Sequence, residues 1–270
     1  MKVIRLETVQ DAMSILVDQP YNERLQMYRN LYVYRGLSNV NYKLLTSLRR
    51  NCGKKQKALE QHLLDNFAKY AENEAPAMLD SIWKRMIIGQ HHGLPTRLLD
   101  WTRSPLVALH FAMTESNYTQ MDKHDAAVWK IDIPDLKKYL PDEYRKLLDD
   151  ANSSVYTMKQ LDEITEKNLD KYDKDMGDTA MVILEPPSMD QRVANQYSFF
   201  SVVPSGMNDV DGFLEKTENT VKYVISKEIR WHLRDALDQM NINERMIYPG
   251  LDGVARVEGR HYYVRDEREH

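Results

Sequence analysis

The densest run of side chains able to do chemistry lies between residues 91 and 104. His91, His92, Thr96, Arg97, Asp100, Trp101, Thr102, Arg103 and Ser104 fall within fourteen residues. Gly93, Pro95 and Pro105 forbid a continuous helix there, so these groups are expected on a braced polar loop. Such groups can bind a ligand or act on it. They also read as structure, with Asp100 pairing with Arg97 or capping a turn and Trp101 in the core, because buried ion-pair networks imitate active sites.

A second constellation is Tyr34-Arg35-Gly36. An arginine at a strand end followed by glycine sets a planar cation beside flexible backbone, which suits bidentate recognition of phosphate or carboxylate. The alternative is a buried arginine paired with Asp100 or another carboxylate. Either way an anionic partner is required, because arginine cannot shed its charge. A third cluster is Gln191, Arg192, Asn195 and Gln196. If 190 to 196 is helical, Arg192, Asn195 and Gln196 share a face, which either hydrogen-bonds a ligand's sugar or amide or is simply solvated. No metal is expected, since the histidines and Cys52 follow no HxxxH or CxxC spacing. Phosphate-cradling glycine loops and a Gly-x-Ser-x-Gly elbow are also missing.

The elements that must position these groups follow from periodicity. Residues 8–19 read as a short helix, and Leu31 to Arg35 as a strand ended by Gly36. Residues 54–71 form an amphipathic helix with Leu59, Leu63, Phe67 and Ala71 inward. A helix over 77–89 turns Met78, Ile82, Trp83 and Met86 inward. Ser104 caps, and Pro105 opens, a buried helix after the polar loop. Residues 127–133 alternate as a strand with one buried face, ended by Pro134. Residues 135–178 are densely charged, with helical stretches at 139–148 and 158–169, and read as a peripheral insertion. Strands follow at 181–184, 199–203 and 221–225, then a helix from Lys227 with Ile229, Leu233 and Leu237 inward. Strands separated by unequal helical segments predict an α+β fold. The organisation is one domain over 1–255 and a charged tail over 256–270.

The 270 residues, 42% of them hydrophobic, suffice for a buried core without staples, and the single cysteine excludes an internal disulfide. No window approaches the ~20 apolar residues of a membrane span. The N-terminus turns polar after Leu6, unlike a secretory signal, so a cytoplasmic location is expected. A net charge of −4 gives no global field for nucleic acid, and any such contact would be local.

Four segments resemble, in order, the bacterial-type FRG domain family. They are YRGLSNVNYKLLTSLRR (34–50), GQHHGLPTRLLDWTRSPLVALHFA (89–112), LEPPSMDQRVANQYSFFS (184–201) and IYPGLDGVA (247–255). His92 stands where the family often has tyrosine, and Tyr197-Ser198 where a glycine commonly follows the glutamine. The family is in turn similar to the ADP-ribosyltransferase superfamily. That resemblance implies a central split or twisted mixed sheet flanked by helices, with NAD as co-substrate. It makes Arg35 the NAD-binding arginine, Ser104 the central serine and Gln196 the third position. Tyr34, Gly36, His91, His92, Thr96, Arg97, Trp101 and Arg192 would complete the dinucleotide site, with Trp101 and tyrosines stacking a base. No glutamate matches the usual ribose-polarising group, so Asp100, Glu115 and Glu185 are the candidates. The implied activity is that of an ADP-ribosyltransferase or NAD glycohydrolase, in a toxin or phage-defence effector with a nucleic-acid or protein acceptor. The alternative is a non-catalytic nucleotide-recognition or protein-interaction module.

Overall fold

The computed structural model describes residues 1–16, 19–23, 26–28, 31–71, 80–187 and 191–264. The described strands are β1 (Lys2–Leu6), β2 (Tyr21–Asn22), β3 (Met27–Tyr28), β4 (Tyr32–Leu37), β5 (Leu98–Thr102), β6 (Ala126–Asp132), β7 (Val182–Leu184), β8 (Ser198–Val202) and β9 (Val221–Ile225). β2 and β3 pair with each other, and the other seven form one sheet in the order β1-β9-β6-β4-β5-β8-β7. β1 runs parallel to β9, and the remaining neighbours are antiparallel. A mixed sheet with helices packed on it is the α+β class that the unequal spacing predicts.

The sheet is nearly divided in two. β4 is registered against β6 over its whole length, and β5 against β8, but β4 meets β5 only where Tyr34 faces Thr102. Successive side chains of a strand point to opposite faces, and the two faces treat this seam differently. On one face Val33, Trp129 and Ile131 join Leu99, Trp101, Phe199 and Ile183 in a single core that spans the seam. The other face carries two cores. Tyr34, Val128 and Tyr223 pack under Ala108, Leu109, Leu233 and Leu237, while Leu98, Phe200 and Val202 pack against Trp83, Tyr144, Tyr156 and Tyr172. A seam flanked by two cores leaves room for a cleft.

Several elements differ from the sequence expectation, each for a packing reason. β4 does not stop at Gly36 but runs on to Leu37, so Arg35 lies inside the strand. Gly36 is there for closeness, since a Cβ would sit 2.0 Å from the Ala108 carbonyl oxygen and 2.6 Å from the Ala112 nitrogen of the helix Pro105–Ala112. The expected polar loop is largely β5, with Leu98, Leu99, Trp101 and Thr102 buried and Asp100 exposed. In the helix Gln56–Ala71 the buried stripe is Gln56, Glu60, Leu64 and Ala68, one position away from the apolar one, because Glu60 turns inward to an ion pair. β6 is buried on both faces.

The 135–178 stretch is no peripheral layer. Its helices Asp142–Asp150, Met158–Ile164 and Leu169–Met176 supply Tyr144, Leu148, Leu161, Tyr172 and Met176 to the core around Trp83. The first helix spans Val9–Ser14, and the next expected helix starts at Ile82 after the Ser81 cap. Residues 17–18, 77–79 (with Met78) and Asp190, part of those expectations, lie outside the described residues. The expected tail begins inside the helix Leu251–His261, where buried Arg260 pairs with Glu244 at 2.8 Å and Asp238 at 2.6 Å; residues 265–270 lie outside the description. Edge strand β1 went unread in the sequence. No described helix is long and apolar enough to cross a membrane.

Candidate functional site

A cleft of about 260 Å³ opens at the seam. β4 contributes Tyr34, Arg35 and Gly36, and β5 contributes Asp100, Trp101 and Thr102. Gln90, Phe111, Arg192, Gln196 and Ser198 complete the lining. Three of the four segments that carry the family resemblance thus meet here, although they are distant in sequence. The helix Pro105–Ala112 can approach β4 closely enough to bring Phe111 to the cleft because residue 36 has no side chain.

Arg35 bridges the seam. Its Nη1 donates to the Asp100 backbone carbonyl at 2.5 Å and lies 3.5 Å from the Asp100 carboxylate. A side chain thus replaces the ladder bond that β4 and β5 do not make. Gln90, on the helix Ile82–His91, engages β5 alone, its Nε2 donating to both Asp100 carboxylate oxygens at 3.1 Å and to the Leu98 carbonyl at 3.5 Å. Gln90 is held in turn by the Thr96 hydroxyl, which donates to its Oε1. The guanidinium of Arg35 is not exhausted by this. Its Nε is buried and has no acceptor among the described residues, although a buried donor ordinarily finds one.

The opposite wall is the helix Gln191–Asn195 with Gln196. Asn195 Nδ2 donates to the Met246 carbonyl at 2.7 Å and Gln196 Nε2 to the Ile247 carbonyl at 3.2 Å, so the helix Glu244–Ile247 is tied to the cleft wall at its C-terminal end. The Thr102 hydroxyl donates to the Gln196 carbonyl at 2.6 Å. Arg192 lies over the Tyr248 ring at 5.1 Å, and Arg256 over the same ring at 4.3 Å. Tyr197 occupies the left-handed region at φ 48°. The tight turn that a glycine would allow is therefore kept, at roughly 1–2 kcal/mol of backbone strain.

Of the residues expected to form the site, Tyr34, Arg35, Gly36, Asp100, Arg192 and Gln196 converge on the cleft. Trp101 touches it, but its indole is 2% exposed and donates from Nε1 to Ser201 Oγ at 3.0 Å, so it offers no free face for stacking. Phe111 and Tyr34 are the cleft's other rings. Ser104 is a helix cap: its Oγ accepts from the Val107 N–H at 3.3 Å, and it does not line the cleft. Thr96 is buried behind Gln90. His91 lines a small side pocket of about 40 Å³ beside Gln90, Asp100 and Arg192, and His92 is exposed at the end of the helix Ile82–His91.

Arg97 lies elsewhere. It is 3% exposed, its Nε donates to Glu60 at 2.7 Å and its Nη1 to Asp173 at 2.6 Å. Burial alone would raise the Asp173 carboxyl, but the charge and hydrogen bonds of Arg97, aided by Ser205, hold it below the usual carboxylate range. Arg97 therefore joins three distant segments as structure, and its partner is not Asp100. Glu115 pairs with Arg230 at 3.3 Å, and Glu185 lines a different cavity. Among the described lining residues Asp100 is thus the carboxylate at the cleft. No group of three potential metal ligands occurs among the described residues.

The sequence had not singled out Gln90 or Phe111. Gln90 carried a signal in its place beside His91 in the family-like segment, and Phe111 lay within a run that reads as core. Residues 30–121 match the family model of the FRG domain. No curated protein and no solved structure matches the chain.

Proposed function

From the premise that residues 30–121 carry an FRG domain, we propose that the seam cleft binds a phosphate-bearing nucleotide, NAD first among the candidates. On this reading the protein is an ADP-ribosyltransferase-like protein of the cytoplasm. The observation that carries the reading is Arg35: one edge of its guanidinium fixes the seam, and its buried Nε has no acceptor among the described residues. A phosphate oxygen is the partner such a preorganised donor fits. Arg192 adds a second cation against the single carboxylate of Asp100, so the lining favours an anion.

The volume of about 260 Å³ lies just below the ~300–1,000 Å³ of pockets that engulf a drug-sized ligand. The cleft would therefore hold one end of a dinucleotide and leave the rest along its mouth. Cleaving the nicotinamide–ribose bond builds positive charge at the sugar, as in glycoside hydrolysis. Asp100, whose side chain is 58% exposed, is the residue to stabilise that charge, with Gln196 as a hydrogen-bonding neighbour. A second reading has its own support: Gln90 and Arg35 both engage the Asp100 carboxylate, which suits a recognition module that binds without reacting.

The test is calorimetry with NAD alongside nicotinamide release by the purified protein, repeated with Arg35→Ala and Asp100→Asn. Binding lost in Arg35→Ala, and turnover lost in Asp100→Asn with binding kept, is the expected result. Binding without turnover selects the recognition module. A wild-type protein that binds neither NAD nor a simpler nucleotide such as ADP refutes the ligand reading, and Arg35 is then scaffold alone.

A further inference from the structure

On the sheet face away from the seam cleft lies a second cavity, of about 250 Å³. Alternation of side chains along the strands separates the two sites. Ser198 lines the cleft, and its neighbour Phe199 lines the cavity; Thr102 lines the cleft, and Arg103 just beyond β5 lines the cavity. The cavity's apolar floor includes Phe199 and Ile133, both buried, with half-buried Val155 beside them.

Its two charged residues have opposite sign. The Arg103 guanidinium lies 5.8 Å over the Phe199 ring, half-buried. Glu185, anchored by its backbone N–H to the Tyr156 carbonyl at 2.8 Å, faces the same space. Neither side chain has a salt bridge or hydrogen bond to another described residue, and the two do not pair with each other within 4.0 Å. A cation and a carboxylate that share a cavity over an apolar floor, yet stand apart, present complementary ends to a ligand carrying both charges.

We propose that this cavity is a binding site for a small zwitterion, an amino acid with an apolar side chain. Its carboxylate meets Arg103, its ammonium group meets Glu185, and its side chain lies against Phe199, Ile133 and Val155. Arginine stacked on an aromatic ring is held planar and ready for a carboxylate. The site is independent of the nucleotide reading, because no residue is shared between the two linings.

The experiment is calorimetric titration of the full chain with L-phenylalanine and L-leucine. The one-charge analogues 3-phenylpropionate and phenethylamine are titrated alongside, against wild type, Arg103→Gln and Glu185→Gln. Saturable binding of at least one amino acid is expected, weakened tenfold or more by either substitution and by removing either charge from the ligand. Both substitutions lie at solvent-accessible positions, and unchanged thermal midpoints confirm an intact fold. No binding to wild type overturns the proposal. So does binding that survives both substitutions, and so does binding sensitive to Arg103 alone, which would make this a plain anion site.

Discussion

Replacing Arg97 by methionine tests whether the arginines of the family-like segment divide into scaffold and site. Glu60 is 3% exposed, and the Asp173 side chain 7%. The substitution leaves two carboxylates buried without their cation. Removing one partner of a buried ion pair costs about 3–5 kcal/mol. At roughly 2 °C per kcal/mol for a chain of this length, the thermal midpoint should fall by about 6–10 °C at pH 7. The pH dependence gives a second, independent sign. In the wild type the Asp173 carboxyl is depressed, so its contribution is complete above the ordinary carboxylate range. It is lost only as the pH falls through the lowered value, below about pH 4. Without Arg97, burial is opposed only by the Ser205 hydrogen bonds and the Asp173 carboxyl rises, so the penalty should ease on acidification from pH 7 to 5. The midpoint difference between variant and wild type should therefore narrow over that interval. Adding Glu60→Leu and Asp173→Leu should recover much of the loss, because a buried ion network replaced by apolar groups is often neutral. Scanning calorimetry at pH 7 and pH 5 reads all of this. A fall of less than 2 °C, or a gap that widens at pH 5, would refute the argument.

Three further outcomes follow from the geometry. Gly36→Ala should destabilise by about 1–3 kcal/mol or more, since backbone atoms of the helix Pro105–Ala112 occupy the space of the new methyl; an unchanged midpoint in urea denaturation would contradict this. Ser104→Ala should cost about 1 kcal/mol as a lost helix cap and leave nucleotide binding at the cleft unchanged, which calorimetry on the same sample checks. His110 is pushed down to about 3, by burial first and then by the Arg234 charge, whose Nη1 lies 2.8 Å from its Nδ1. The unfolded chain therefore takes up a proton below pH 6.5 that the folded one refuses, and stability falls by about 1.4 kcal/mol per pH unit from there toward pH 3. His110→Gln, which keeps an acceptor for Arg234, should flatten that slope in denaturant melts between pH 7 and pH 5.

The chemistry of the site was more legible in the sequence than the placement of its parts. Arg35, Asp100 and Gln196 could be named because an uncancellable cation, a carboxylate between leucine and tryptophan, and an amide before a strand each demand a partner wherever they lie. Arg97 and Asp100, three residues apart, gave no local sign of which would face the cleft. That is decided by Glu60 and Asp173, each tens of residues away, which draw Arg97 to the other end of β5. Glu60 also explains the misplaced stripe of its helix, since a periodicity count places an acidic residue outward. The 135–178 stretch misled for a related reason. Its charges are real, but Tyr144, Tyr156 and Tyr172 bury their rings beneath them and settle their hydroxyls on Asp175, the Tyr144 carbonyl and the Val202 carbonyl. Tyrosine in a charged segment reads as surface, although its ring carries as much apolar area as a core residue.

The pairing of β1 with β9 sets the timing of biosynthesis. Among the described strands Lys2–Leu6 pairs only with Val221–Ile225, so the earliest-made strand of this sheet waits for its latest. At about 5–20 residues per second that wait is roughly 10–45 s. During it the nascent chain holds an extended, unpartnered segment that no local contact can retain, because closing so long a loop is rewarded only once both ends are present. The half-sheet formed by β5, β7 and β8, contained within residues 98–202, can close earlier. Synthesis then imposes an order of assembly across the seam: the half that carries Asp100 is ready before the half that carries Arg35 is complete.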